Sequence, residues 1–219
     1  TSEFYREQTF NQMKLKGKIR TDGDIFGWYT LNQNNSTGDL QGWAREARML
    51  ADQSGVDLDA YDTYLYIFPR TEIAPDGKAL GNQVWINGNL DLSSTGHEIG
   101  HTVLTELHHA DGYNCRDSSN NRISINTPGF CTSTQYGDPF TIMGNADNHR
   151  HMNIFEKNKM GLLKPQNVVT WSANGDYTLS PIEKASNEAQ GIIIPRSSAK
   201  SDDKTRFYYL EYRQPFGFD

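Results

Sequence analysis

The stretch that most constrains the fold is His97-Glu98-Ile99-Gly100-His101, near the middle of the chain. Two histidines four positions apart share one face only on a helix, where they lie about 6 Å apart along the axis and about 40° apart around it. The stretch therefore predicts a helix that begins near Ser93-Ser94-Thr95, whose hydroxyls are typical N-caps. Ile99 and Val103 then lie on the opposite face, which we expect to pack under a sheet.

The same spacing has a chemical meaning. Two imidazoles so placed can both reach one zinc ion at about 2.0–2.1 Å. Glu98 flanks the metal without having to bind it, which is the position of the general base in HExxH zinc hydrolases. The alternative is a solvated helix that carries two histidines, so the motif is a hypothesis that needs context.

A third ligand is needed, because a catalytic zinc ion usually has three protein ligands and one open position. All six histidines fall between residues 97 and 151, which favours a site over scattered histidines. On an unbroken helix His108 would lie about 10 Å beyond His101 along the axis, too far to share a metal. The helix must therefore end before it if His108 or His109 binds.

The chain resembles a known group at this point. The motif, His109-Ala110 and the run Tyr136-Gly137-Asp138-Pro139-Phe140-Thr141-Ile142-Met143-Gly144 look like a metzincin zinc peptidase, most like the gametolysin family. Asn153, Gly161-Leu162-Leu163 and residues 208–213 are similar to that family's downstream pattern. The likeness spans residues 39–219 and is best across 97–163. It implies a Met-turn, a tight turn that places Met143 under the zinc.

The chain departs from the HExxHxxGxxH pattern of metzincins at two positions. Leu104 and Leu107 stand where that pattern has its glycine and its third histidine. A glycine there takes positive φ and ends the helix, which leucine cannot do cheaply. The helix is therefore expected to run on, with the third ligand arriving late. A two-residue insertion selects His109, which we favour, and a one-residue insertion selects His108.

Other third ligands stay open. In the gluzincin plan a glutamate from a later helix binds the metal, and Glu156, in a predicted helix over 152–160, is the candidate. His149 and His151 are further alternatives, although a hydrogen-bonding role just after the Met-turn is favoured for both. A core methionine is the plainer interpretation of Met143 alone.

Composition indicates a loop-rich extracellular domain. The chain has 219 residues, 36% of them hydrophobic, and a net charge of −6. It shows no basic block, so a nucleic-acid partner is not expected. It has no apolar run of membrane-spanning length. We expect a secreted monomer, a processed or excised domain with any signal and pro-segment already gone, whose substrate is a protein or peptide.

The two cysteines, Cys115 and Cys131, are predicted to form a disulfide. Closing a loop of this size would contribute about 3 kcal/mol. Two free thiols are the alternative, and a zinc-ligand role is disfavoured because a catalytic zinc is more often bound by histidine or carboxylate.

Several elements can be predicted before the motif. Asp39 is expected to cap an amphipathic helix that Gly55 ends. Residues 61–68 predict a central strand, and residues 83–88 an edge strand whose Val84–Asn87 portion could hold a peptide by β-augmentation. Alternating lysines over 14–19 predict another edge strand. The cluster Phe26/Trp28/Tyr29 is interpreted as core.

The predicted fold class is α+β. Residues 1–165 would form a metzincin-like catalytic domain with a twisted mixed sheet, an active-site helix, a Met-turn and a C-terminal helix. Residues 166–219 would form a small β-rich extension packed on it, with strands over 167–171, 176–180, 192–195 and 207–213.

The expected activity is peptide-bond hydrolysis by a zinc-activated water, with Glu98 as general base and His97, His101 and His109 as ligands. The alternatives are a non-peptidase zinc hydrolase and a catalytically silent binding module with a structural metal. The presence of Glu98 argues against the silent module.

Overall fold

The structure is a computed structural model that describes residues 1–103, 108–125, 130–145, 150–196 and 207–219. Within these ranges it contains four α-helices and three small sheets, which confirms the α+β class. The described helices include none that is long and apolar enough to cross a membrane. The chain divides into two compact units, Thr1–Tyr5 with Lys14–Glu106 and Arg6–Met13 with Leu107–Asp219. A domain boundary at residue 165 stays a prediction.

The helices of the first unit have clear local signals. They are α1 (Ser2–Gln8, of which Ser2–Tyr5 belongs to this unit), α2 (Leu40–Gln53) and α3 (Leu92–Val103), with a 3₁₀ turn at Leu58–Ala60. Asp39 accepts the Gly42 N–H at 2.8 Å, which confirms it as the N-cap of α2. Gly55 follows the end of α2 with φ +84°, a conformation that glycine adopts without strain.

The sheet of the first unit has three strands in an order that differs from the prediction. They are β1 (Tyr64–Phe68), β2 (Gly77–Leu80) and β3 (Gln83–Asn87), in the order β1-β3-β2. β3 runs parallel to β1 and antiparallel to β2. The predicted central strand is therefore an edge, and the predicted edge strand is central. The difference comes from β2, a four-residue strand that directly follows Pro75 and Asp76 and has no strand signal in the sequence.

A core cluster fixes α2 on one face of this sheet. The Trp85 indole donates to the Leu40 carbonyl at 2.9 Å, and the Trp43 and Phe68 rings meet edge to face. Because neighbouring strand residues point to opposite faces, Val84 and Ile86 lie on the other side, and α3 packs against β2 and β3.

Two predictions for the N-terminal segment are wrong. Residues 14–19 form no strand. The Phe26/Trp28/Tyr29 cluster is not core either, since Trp28 is 83% exposed and Phe26 40% exposed. The alternation of lysines with other residues over 14–19 therefore belongs to a loop and not to a strand.

The second unit contains α4 (Ile154–Lys159), a 3₁₀ turn at Pro165–Asn167 and two sheets. β4 (Gly112–Cys115) pairs with β5 (Cys131–Thr134). Cys115 and Cys131 are cross-strand partners joined by a disulfide, which confirms the predicted bond. β6 (Val168–Thr170), β7 (Gly191–Pro195) and β8 (Phe207–Glu211) form the other sheet, in that order. The strand predicted at 176–180 is absent from this described stretch.

Candidate metal centre

The cap of the helix that carries the motif lies two residues before Ser93, the first of the predicted caps. Asp91, and not Ser93-Ser94-Thr95, is the capping residue: its carboxylate accepts the Ser94 N–H at 2.8 Å and the Ser93 hydroxyl at 2.7 Å. Partial burial alone would raise the pKa of Asp91, but hydrogen bonds from Ser94, Ser93 and Asn89 lower it to about 2. The cap is therefore ionised at neutral pH and faces the positive end of the α3 dipole.

The first turns of α3 are also held by the start of the chain. The Tyr5 hydroxyl donates to the Gly96 carbonyl at 2.6 Å, and Tyr5 is fully buried. The hydroxyls of Thr1 and Thr95 lie 2.7 Å apart. These contacts fix the backbone immediately before His97.

His97 and His101 lie on one face of α3, as their spacing predicts. Their Nε2 atoms are 3.2 Å apart and their rings meet edge to face at 4.9 Å. His97 is buried and His101 is half-buried. Two ring nitrogens that face each other must share a proton or point their lone pairs at a common cation.

His109 completes a set of three. One ligand atom each of His97, His101 and His109 lies within 4.8 Å of the others. Among the described residues this is the only group of three or more His, Cys, Asp or Glu side chains so placed. The three therefore could hold a metal ion, as the interpretation that favoured His109 requires.

The donor chemistry of this set fits zinc. Two ligands at about 2.0–2.1 Å from a tetrahedral ion lie about 3.3 Å from each other, which the His97–His101 distance matches. Neutral imidazoles are common zinc ligands, and three of them leave one tetrahedral position open. The set thus has the composition of a catalytic site.

The rival ligands lie elsewhere. His108 is exposed and is not in the set. His151 is fully buried, with its Nε2 3.0 Å from the Glu7 carboxylate. Burial lowers the pKa of His151 to about 3, so this side chain is a neutral structural histidine. His149, Leu104 and Leu107 fall outside the described residues.

Glu156, the gluzincin candidate, is used for structure. Its carboxylate accepts the Thr141 hydroxyl at 2.5 Å and the Asn153 N–H at 2.8 Å, while Asn153 caps the Glu156 N–H in return. This capping box begins α4 two residues later than predicted. The fully buried side chain is not part of the three-histidine set.

His109 has two side-chain neighbours to which sequence reasoning gave no role. The Gln135 amide nitrogen lies 3.3 Å from His109 Nδ1, and the Tyr136 ring packs on the imidazole with centroids 3.9 Å apart. Asp111 accepts the Tyr136 N–H at 3.3 Å. The sequence signal for Gln135 and Tyr136 was their position, immediately before and at the start of the Tyr136–Gly144 run.

Met143 lies in a tight turn, fully buried. The Gly144 N–H donates to the Thr141 carbonyl at 3.0 Å, which closes the turn. The Met143 carbonyl accepts the Ala110 N–H at 2.9 Å, and the Ala110 carbonyl accepts the Asp138 N–H at 3.2 Å. The turn thus fixes the backbone next to His109, and a role for the sulfur under a metal stays a prediction.

Glu98 lies against the first residue of β2. A Cβ added to Gly77 would lie 2.6 Å from both Cγ and Oε1 of Glu98, so a larger residue at position 77 would require the Glu98 side chain to shift. Burial raises the pKa of Glu98 to about 7. The contact between Gly77 and Glu98 cannot be predicted from the sequence, because it depends on where β2 lies in the sheet.

The chain matches no known family model, no curated protein and no solved structure. The three-histidine set and Glu98 are therefore the features that point to a function.

Proposed function

We propose that this chain is a secreted zinc-dependent endopeptidase of metzincin type, with Glu98 as the general base. The observation that carries the proposal is the convergence of the His97, His101 and His109 ligand atoms within 4.8 Å. Glu98 lies next to the first ligand in the chain and on the same helix.

Three imidazoles and one open position are the arrangement of a hydrolytic zinc site. When bound, zinc would act as a Lewis acid that polarises a carbonyl and lowers the pKa of a water molecule from 15.7 to about 7. The His97 and His101 imidazoles must be unprotonated at Nε2 to bind it, and the rigid helix holds them there.

Glu98 would handle the proton. Its carboxylate lies on the side of α3 that faces β2, against Gly77. A base with a pKa near the working pH can take a proton from water and return it to the leaving amine. The partial burial of Glu98 favours such a pKa.

The edge of β2 is the place where a peptide substrate would bind. β3 pairs on both sides, so the predicted β-augmentation at Val84–Asn87 is wrong. Within the described sheet β2 pairs on one side only, which leaves its outer backbone groups available to an extended peptide. Gly77 of β2 touches Glu98, so a peptide on this edge would pass close to the base.

Secretion is supported by the Cys115–Cys131 disulfide. Disulfides persist in oxidising compartments and are rare in cytosolic proteins. The protein would act as a monomer, because the proposed ligands and base all come from one chain.

Digestion of casein tests the proposal. The zinc-loaded protein should cleave casein, a chelator should stop the cleavage, and added zinc should restore it. Glu98→Ala should lower the rate by about 10²–10⁴-fold while zinc binding persists, because the base is removed and the ligands remain. Glu72→Ala, which removes an exposed carboxylate from the same unit, is the control and should retain full activity.

The alternatives give different results. Undiminished proteolysis by Glu98→Ala would refute the mechanism. Zinc binding without cleavage of casein or of any peptide, but with hydrolysis of a small ester, would favour a non-peptidase hydrolase. Zinc binding with no hydrolysis at all would favour a binding module.

A further inference from the structure

An ordered loop over residues 14–28 exposes large apolar side chains to solvent. Ile19 is 82% exposed, Ile25 77% and Trp28 83%. Exposure of large apolar side chains to water is unfavourable, so a surface normally exposes few of them together. We call this segment the apolar loop.

A carboxylate, that of Asp24, anchors the apolar loop. One Asp24 carboxylate accepts the backbone N–H groups of Lys18, Ile19 and Arg20 at 2.7–3.2 Å, and it accepts the Tyr61 hydroxyl at 2.6 Å. The hydrogen bond from Tyr61 is the main cause that lowers the pKa of Asp24 to about 2. The two halves of the loop are therefore tied together by a carboxylate that is ionised at neutral pH.

The anchor also orients the apolar side chains. The Phe26 ring meets the Tyr61 ring edge to face at 5.9 Å, so Phe26 is partly sequestered. The backbone N–H of Ile19 is itself one of the groups that Asp24 accepts, and Ile25 directly follows Asp24 in the chain. Ile19, Ile25 and Trp28 are thus displayed by a preorganised scaffold, and little conformational entropy would be lost when they bind.

The charge of the apolar loop is opposite to that of the whole chain. Residues 14–20 contain Lys14, Lys16, Lys18 and Arg20 and no acidic residue, and all four cations are exposed. Arg20 pairs with Asp22 at 2.9 Å. With Asp22 and Asp24 counted against the four cations, residues 14–28 carry a net charge of +2. The full chain has a net charge of −6. A strongly anionic partner would therefore be attracted here and repelled by much of the remaining surface.

We propose that the apolar loop is a membrane-docking element that binds an anionic lipid surface. Lysines interact with anionic headgroups, a tryptophan is favoured at the level of the headgroups, and isoleucines insert among the upper acyl chains. The loop combines these three parts in a segment of fifteen residues. The interaction is peripheral and reversible, and it would bring the protein to a lipid surface without crossing it.

Vesicle sedimentation of the full chain tests the proposal. We expect binding to large unilamellar vesicles of 3:1 phosphatidylcholine and phosphatidylserine, and little binding to pure phosphatidylcholine. Raising the salt concentration should weaken the binding, because exposed charges are screened. The assay does not measure catalysis, so its result is independent of whether the proposed peptidase activity is correct.

Variants of exposed residues locate the binding. Trp28→Ala should weaken vesicle binding by at least about tenfold, as expected for loss of one inserted apolar side chain. Lys16→Glu should weaken it by more than about fivefold, the contribution of one lysine near an anionic surface. Controls with matched changes are Trp171→Ala, at an exposed tryptophan of the other unit, and Lys78→Glu, at an exposed lysine of β2.

Three results would overturn the proposal. The first is equal binding of the wild-type chain to the two kinds of vesicle, or binding to neither. The second is a Trp28→Ala variant that is folded by circular dichroism and binds as well as the wild type. The third is a loop-dependent dimer in solution without vesicle binding, which would make the loop a protein contact.

Discussion

Gln135 is placed to set which nitrogen of His109 would be available to a metal ion. A neutral imidazole carries one proton, so ligation through Nε2 requires that Nδ1 donate a hydrogen bond. The Gln135 side-chain amide lies at Nδ1, 3.3 Å away. Rotation of the amide by half a turn presents its oxygen, which would accept the Nδ1 proton and leave the Nε2 lone pair free.

The first prediction concerns this contact. Gln135→Leu should weaken zinc binding by about 10–100-fold, because a partner that orients a ligand is lost. Gln135→Glu should restore or strengthen binding, since a carboxylate accepts the same proton and raises the basicity of the ring. The measurement is a competition titration against a chromogenic chelator.

Gln53→Leu, at an exposed glutamine at the end of α2, is the matched control. Equal zinc affinity of Gln135→Leu and the wild type would show that His109 needs no such partner.

The residues of the proposed site were predictable to different degrees. His97, Glu98 and His101 could be found because a four-residue spacing encodes a helix face. His109 required a choice between insertions of one and two residues. Gln135 and Gly77 could not be found, because their contacts depend on pairings between segments that are distant in the sequence.

At the scale of elements, α4 begins with a capping box whose glutamate is entirely buried. Glu156 accepts hydrogen bonds from Thr141 and Asn153, and burial raises its pKa to about 7. This group joins the turn that contains Met143 to the start of α4. Its ionisation should therefore affect the stability of the second unit.

The second prediction follows from that pKa. Between pH 4.5 and about 7 the folded chain keeps Glu156 protonated while the unfolded chain ionises it. The folded state then binds more protons, so stability falls as pH rises through this window. Glu156→Gln lacks this ionisation and keeps an oxygen acceptor. Its unfolding free energy relative to the wild type should rise by up to about 3 kcal/mol from pH 4.5 to pH 8.

Urea unfolding at the two pH values measures the difference. Glu188→Gln, at an exposed glutamate, should show no such change between the two pH values. A Glu156→Gln stability difference that is the same at both pH values would contradict the pKa of the buried carboxyl group.

Element types were more predictable than their partners. The α2 helix, its Asp39 cap and the β3 strand follow from periodicity and capping chemistry. The order of the sheet does not, because a four-residue strand such as β2 lies next to a Pro-Asp-Gly turn and gives no periodic signal. The cap of α3 was misplaced for a similar reason, since Asp91 and three hydroxyl residues are all good N-caps.

At the scale of the whole molecule, three features support the proposed extracellular setting. The disulfide fixes the paired strands β4 and β5, the net charge of −6 keeps the surface acidic, and a basic apolar loop departs from it. The proposed chemistry is concentrated in residues 97–109, while the remaining described residues position those side chains.

Zinc affinity of two histidine variants tests the central claim most directly. The wild-type chain should bind one zinc ion, measured by elemental analysis after dialysis and by competition titration. His109→Ala should weaken binding by more than about a hundredfold, since loss of a ligand costs more than loss of its hydrogen-bond partner. His108→Ala, the neighbouring exposed histidine, should bind zinc like the wild type. Zinc binding that survives His109→Ala unchanged, or that is lost in His108→Ala instead, would contradict the account.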